Sequence, residues 1–123
     1  MTSHNLRAFG WSLVLVFVAV ATAMAHLAVT KTMPEADAVL TESPEQLQVW
    51  FTQDPDPAVS KLTLQGTDGE VAIGETVVAD QKSLVVAVPT DLSPGSYTVS
   101  WRSAGDDGHV RRGDFVFTLR GTN

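Results

Sequence analysis

The sequence QLQVWFT, residues 46–52, has an aliphatic or phenyl side chain at every second position and decides the fold class. Leu47, Val49 and Phe51 fall on one face, and the residues between them fall on the other. This period of two is typical of a strand that is buried on one side. The stretch therefore predicts a β-strand, because a helix would group residues three and four positions apart.

The same alternation recurs along the chain, and no segment has a helical period. Further strand-like runs cover residues 27–31, 59–65, 83–88, 96–101 and 114–120. Turn-forming residues separate them, including Asp54-Pro55-Asp56-Pro57 and Ser93-Pro94-Gly95, and Asp68-Gly69 is typical of a tight hairpin turn. Six to eight short strands at this spacing predict an all-β domain, a single Greek-key β-sandwich or small barrel.

An apolar segment precedes the strand-like region. Arg7 supplies a positive charge, residues 8–22 are almost wholly apolar, and Ala23-Met24-Ala25 matches the small-x-small pattern that signal peptidase cleaves. The apolar stretch is shorter than the roughly 20 residues that a membrane-spanning helix needs. We therefore predict a cleavable signal peptide, residues 1–25, and one mature domain, residues 26–123, which is exported as a periplasmic or extracellular protein with no membrane insertion once mature.

The composition of the mature domain excludes several classes of protein. About 98 residues suffice for one small core. The chain has no cysteine, which excludes disulfides and thiolate metal sites. All 14 Asp and Glu residues follow position 25, and the formal charge of the whole chain is −6, so nucleic acid is not an expected partner. No phosphate-binding loop, zinc-ligand spacing or catalytic relay is present, so the chain is predicted not to be an enzyme.

Cleavage after Ala25 would make His26 the first residue of the mature chain. Its α-amine and its ring Nδ1 could then close a six-membered chelate ring on one metal ion. The other histidine of the mature domain, His109, follows Asp107 and Gly108. Imidazole and amine nitrogens suit copper(II), which has the highest affinity in the divalent series. Asp107 would point to the same face as His109 on extended backbone, so it could bind the ion directly or orient His109.

Longer motifs carry a family resemblance. They are the histidine at the predicted mature N-terminus, residues 33–40 with Ser43-Pro44, residues 47–51, residues 92–102, Asp107-Gly108-His109, Gly113 and residues 115–117. Together they resemble the CopC-type periplasmic copper-binding domains of bacterial copper resistance, from His26 to about Leu119.

This resemblance implies a Greek-key fold of cupredoxin or immunoglobulin-like character. It implies a copper(II) site on His26, Asp107 and His109, with one copper ion per chain. It also implies that the protein sequesters or delivers copper in the periplasm, in some cases beside a CopD-like inner-membrane protein that transports copper.

The sequence departs from the family pattern at two points. Some members carry a methionine-rich copper(I) site, whereas Met33 is the only methionine of the predicted mature chain. A thioether site is therefore not expected. Some members also place a glutamate near the metal after the strand at residues 46–52. Gln53 occupies approximately that position here, and Asp54 follows it.

Two other functions remain open at this stage. Two imidazoles and the N-terminal amine would form a histidine brace. The same arrangement occurs in lytic polysaccharide monooxygenases, so a copper-dependent redox enzyme is the alternative. A carboxylate from Asp107 on the metal argues against it, because it stabilises copper(II) and occupies a coordination position. A sandwich adaptor for a membrane protein, with copper incidental, is the third possibility.

Arg111 and Arg112 form an adjacent cationic pair that is either solvated or a docking or anion-binding patch.

Overall fold

Strands account for all the regular structure in the computed structural model, which describes residues 26–89 and 91–121. The nine strands found there are β1 (Val29–Met33), β2 (Val39–Leu40), β3 (Gln46–Phe51), β4 (Lys61–Gly66), β5 (Gly69–Val71), β6 (Val77–Ala79), β7 (Ser83–Ala87), β8 (Gly95–Ala104) and β9 (Val110–Leu119). In this part of the chain no helix has the length and apolarity to cross a membrane. The predicted signal peptide, residues 1–25, lies outside the described residues.

The described strands form two sheets that pack face to face. One has the order β1-β3-β7-β6, and the other has the order β2-β9-β8-β4-β5. Strands distant in sequence are neighbours in both, such as β3 with β7 and β4 with β8, so the chain crosses repeatedly between the sheets. The predicted all-β sandwich is confirmed. The structure has more strands than the six to eight expected, because β2, β5 and β6 are only two or three residues long and show no clear alternation.

The core lies between the two sheets and contains the apolar residues of each alternating pattern. Leu47, Val49 and Phe51 of β3 are at most 3% exposed. They face buried side chains of the opposite sheet, among them Leu64 of β4 and Phe117 of β9, which are both fully buried. Burying each such side chain contributes roughly 1.5–3 kcal/mol. Since the chain lacks disulfides, this packing holds the scaffold of the site.

The longest hairpin within the described residues is formed by β8 and β9. These strands pair without interruption from Gly95 opposite Leu119 to Ala104 opposite Val110. Strand β9 therefore begins four residues before the position predicted from the alternation, because pairing with β8 overrides the weak pattern of residues 110–113. The hairpin ends in a loop, residues 105–109, which contains Asp107 and His109.

Strand β1 brings the start of the described chain to the same end of the sandwich. It pairs with β3 in antiparallel fashion, with Val29 opposite Phe51. His26 consequently lies near the residues that follow β3.

The predicted hairpin turn is also present between β4 and β5, one residue earlier than expected: Gly66 pairs with Gly69, and Thr67 and Asp68 form the turn. Gly69 adopts a φ of 117°, which favours glycine.

Candidate metal centre

Thr52 holds the N-terminal half of the site. Its backbone N–H donates to the Ala28 carbonyl over 2.9 Å, and its hydroxyl oxygen accepts from the Ala28 N–H over 3.1 Å. The same hydroxyl donates to the His26 carbonyl over 3.4 Å. Residues 26–28 are thus tied to the end of β3 by main-chain and side-chain hydrogen bonds, which limits the positions that His26 can take.

The loop at residues 105–109 holds the second half. The Gly108 N–H donates to the Gly105 carbonyl over 3.0 Å, and Gly108 has a φ of 74°, a conformation that glycine adopts at little cost. Asp107 Oδ1 accepts from the His109 N–H over 3.0 Å. The expectation of extended backbone between Asp107 and His109 is therefore wrong. A turn, closed by the aspartate's own hydrogen bond, brings the two side chains together.

Gln53 connects this loop to β3. Its Oε1 accepts from the Asp106 N–H over 2.8 Å. Gly105 packs closely against the Gln53 side chain. A Cβ at position 105 would collide with the Gln53 amide oxygen and would also lie 3.2 Å from the Leu27 Cβ. The consecutive residues Thr52 and Gln53 therefore hold both halves of the site, one binding the N-terminal segment and the other binding the loop.

The side chains of His26, Asp107 and His109 converge at this end of the sandwich. His26 Nδ1 lies 2.9 Å from Asp107 Oδ2, and His109 Nδ1 lies 3.4 Å from the same oxygen. One candidate ligand atom from each residue falls within 4.8 Å of the other two. The imidazole centroids of His26 and His109 are 6.5 Å apart. A metal ion bound by an imidazole lies about 2 Å from the ring nitrogen. The space between the two rings therefore has room for one ion.

The electrostatics of the cluster suit a cation. The hydrogen bond from the His109 N–H, followed by the contact with the His26 ring, lowers the pKa of Asp107 from its usual value. The carboxylate therefore stays negatively charged at neutral pH, between two imidazoles. The side chains of His26 and His109 are 52% and 76% exposed. An ion at this position could be reached from solvent.

The structure also locates Asp54, Met33 and Trp101. Asp54 does not belong to the cluster of metal-capable side chains found in the described chain. Met33 pairs with Gln48, at the end of β1 away from His26. Trp101 packs against the core, in edge-to-face contact with Phe51 at 5.3 Å between centroids. The anchoring role of Thr52 was missed, because its place in the alternating pattern indicates only an outward-facing strand residue.

Comparison with protein families matches residues 29–120 to the CopC domain. Copper resistance protein C of Escherichia coli is 33% identical to this chain over 107 residues, which cover 80% of this chain and 84% of that protein. Protein YobA of Escherichia coli strain K12 is 27% identical over 124 residues, which cover 97% of this chain and 98% of that protein.

Solved structures support the same relationship. CopC from Methylosinus trichosporium OB3b is 25% identical, with a TM-score of 0.72, over 80% of this chain and 97% of that one. PcoC, a methionine-rich copper resistance protein from Escherichia coli, is 29% identical, with a TM-score of 0.69, over 78% of this chain and 100% of that one. The sequence motifs, the two-sheet fold and these matches agree, and the chain belongs to the CopC family of copper resistance proteins.

Proposed function

We propose that the mature chain, residues 26–123, is a periplasmic protein that binds one copper(II) ion and sequesters or delivers it. The ligands would be the amine and Nδ1 of His26, the imidazole of His109 and the carboxylate of Asp107. The observation that carries this proposal is the approach of both imidazoles to a single carboxylate oxygen, at 2.9 and 3.4 Å. Copper is the cargo of this site.

The chemistry of the donors favours copper(II). Two imidazoles and one amine provide three nitrogens, which suit the tetragonal geometry of this ion. Nδ1 is the ring nitrogen of His26 that faces the cluster, and it is also the nitrogen that can share a six-membered chelate with the α-amine. The chelate requires cleavage after Ala25, so N-terminal sequencing of the exported protein should identify His26 as the first residue.

The site's construction suits a carrier. Because Thr52 and Gln53 anchor both halves to β3, little ordering is needed when the ion binds. Because the three side chains are solvent-accessible, the ion could pass to another molecule without unfolding of the core. A CopD-like protein of the inner membrane, which transports copper, would be a suitable acceptor of the ion.

The position of Asp107 favours binding over redox catalysis. A carboxylate that reaches the metal stabilises copper(II) relative to copper(I) and occupies a coordination position that oxygen would need. We therefore expect ascorbate-driven peroxide production by the copper-loaded domain to stay below that of free copper. Peroxide production well above free copper would instead favour a redox enzyme of the histidine-brace type.

A competition titration against a chromophoric chelator tests the proposal directly. Residues 26–123 with a native N-terminus should bind one copper(II) ion per chain and prefer it over zinc(II). His109→Ala should remove tight binding, whereas a substitution at an exposed residue outside the site, Gln65→Ala, should leave it unchanged. Binding that is weaker than micromolar in the unsubstituted domain, or unaffected by His109→Ala, would contradict the proposal.

A further inference from the structure

Three cations lie side by side on the outer face of the five-stranded sheet. Lys61 of β4 is directly opposite Arg102 of β8, and Arg102 is directly opposite Arg112 of β9. All three are exposed. We call them the basic row. Successive side chains of a strand point to opposite faces, so Arg111 lies on the other face of β9 from Arg112 and is not part of the row.

The basic row is unusual in a chain of this composition. It contains three of the seven Lys and Arg residues that follow His26, although the formal charge of the whole chain is −6. Like charges directly opposite each other on adjacent strands destabilise a sheet. Over residues 26–89 and 91–121, the ion pairs within 4.0 Å are those of Asp107 with His26 and His109, so no carboxylate there pairs with the row. An arrangement that costs stability and is not neutralised is expected at a functional surface.

The surface around the basic row is shaped to receive an acidic group. A shallow depression is lined by the row, by Thr63, Ser100 and Asp114 of the next register position, and by Trp101 and Gly113. Asp114 supplies the one carboxylate of this lining, against the three cations of the row. Arg102 Nε donates to the Val59 carbonyl over 3.0 Å. This bond restrains the guanidinium and leaves its two terminal nitrogens to a ligand. A restrained guanidinium is well suited to bind a carboxylate through two parallel hydrogen bonds.

The basic row lies close to the candidate metal centre. Arg102 and Arg112 are two residues from Ala104 and Val110, the last pair of the hairpin before the loop that contains Asp107 and His109. Two residues correspond to about 7 Å along a strand. A partner bound at the row would therefore reach the metal loop without any change in the sandwich.

We propose that the basic row is a docking site for an Asp- and Glu-rich segment of a protein that exchanges copper with this chain. The exchange rests on the proposed function, whereas the docking rests on the row itself. A protein segment fits better than a lipid surface, because lipid-binding basic clusters contain about four to eight cations and because the net negative chain would be repelled by anionic lipid. The same repulsion argues against nucleic acid.

An NMR titration of the ¹⁵N-labelled mature domain tests the docking. The probe is a synthetic twelve-residue peptide of alternating Glu and Gly. We expect amide shifts at and around the basic row, at residues 61–63, 100–102 and 112–114. The triple variant K61Q/R102Q/R112Q should bind the peptide about tenfold more weakly at low salt. A control variant with the same charge change elsewhere, K31Q/K82Q/R120Q, should lose no more than about twofold.

Several outcomes would overturn the docking proposal. They are an absence of shifts in the unsubstituted domain, equal losses in the two triple variants, and binding to vesicles containing 30% phosphatidylglycerol in preference to the peptide. The shift map of the unsubstituted domain decides the matter even if a variant fails to fold. Copper titration of the same samples separates the two proposals: row-specific peptide binding by a domain that binds no copper would refute the proposed function and support docking alone.

Discussion

Removing the hydrogen-bond acceptor of Gln53 should weaken copper binding without altering any proposed ligand. Gln53→Met keeps the length and approximate volume of the side chain but cannot accept the hydrogen bond from the Asp106 N–H, which spans 2.8 Å. The loop at residues 105–109 would then lose an anchor to β3. Part of the free energy of metal binding would then be needed to order Asp107 and His109.

The size of the effect follows from this one hydrogen bond. A neutral hydrogen bond contributes about 1 kcal/mol net. If the whole loss falls on ordering the loop around the ion, Gln53→Met should raise the Kd for copper(II) about fivefold. Gln53→Glu is the matched control, because its carboxylate oxygen can still accept from Asp106, and its charge favours a nearby cation. Gln53→Glu should therefore bind copper at least as tightly as the unsubstituted domain.

Competition with a chromophoric chelator measures both variants on one scale, and thermal unfolding of the metal-free domains checks that the fold is retained. An unchanged Kd for Gln53→Met would refute the anchoring role. An equal loss of affinity in Gln53→Glu would also refute the anchoring role, because this variant keeps an acceptor for the Asp106 N–H.

Three other predictions concern the ligands, the pH dependence and the core. Asp107→Asn should reduce copper affinity by about 10- to 100-fold in chelator competition, since it removes a charge from the site and weakens the orientation of His109; an unchanged Kd would show that the carboxylate has no role. Copper(II) affinity should fall as the pH is lowered, because protons compete with the ion for the nitrogens of His26 and His109. Asp107 has a lowered pKa in the folded state, so its contribution to stability is present above about pH 3.9 and is lost only as pH falls through the lower folded value. A copper(II) affinity that stays constant as the pH is lowered, measured by chelator competition, would contradict this dependence. Phe117→Ala should destabilise the metal-free domain by about 3–5 kcal/mol in urea unfolding, because the side chain is fully buried between the sheets, and a loss below about 1 kcal/mol would mean that the core repacks.

The sequence predicts much of this sandwich because the strands that form its core alternate cleanly. Residues 46–52 have one buried face, and the structure buries that same face. Strands β2 and β6 are short edge strands with few inward-facing side chains, so periodicity cannot reveal them. The start of β9 depends on pairing with β8, a tertiary contact that the local pattern of residues 110–113 does not encode.

The site shows a similar division. Residue type and position single out His26, Asp107 and His109 from the sequence. Their convergence depends on the pairing of β1 with β3 and on the turn at Gly108, which brings residues 81 positions apart within 2.9 Å. The anchoring roles of Thr52 and Gln53 depend on hydrogen bonds between distant segments. The basic row requires the register of three strands, since its members are 41 and 10 positions apart in sequence.

Electron paramagnetic resonance of the copper(II)-loaded domain tests the central claim most directly, because it reports the donor atoms. The comparison is between residues 26–123 with His26 as the first residue and the same domain with one methionine added before it. We predict a tetragonal, nitrogen-rich spectrum for the native N-terminus and a changed spectrum with much weaker binding for the extended chain. Identical spectra and affinities in the two proteins would show that the α-amine of His26 is not a ligand and would contradict the proposed site.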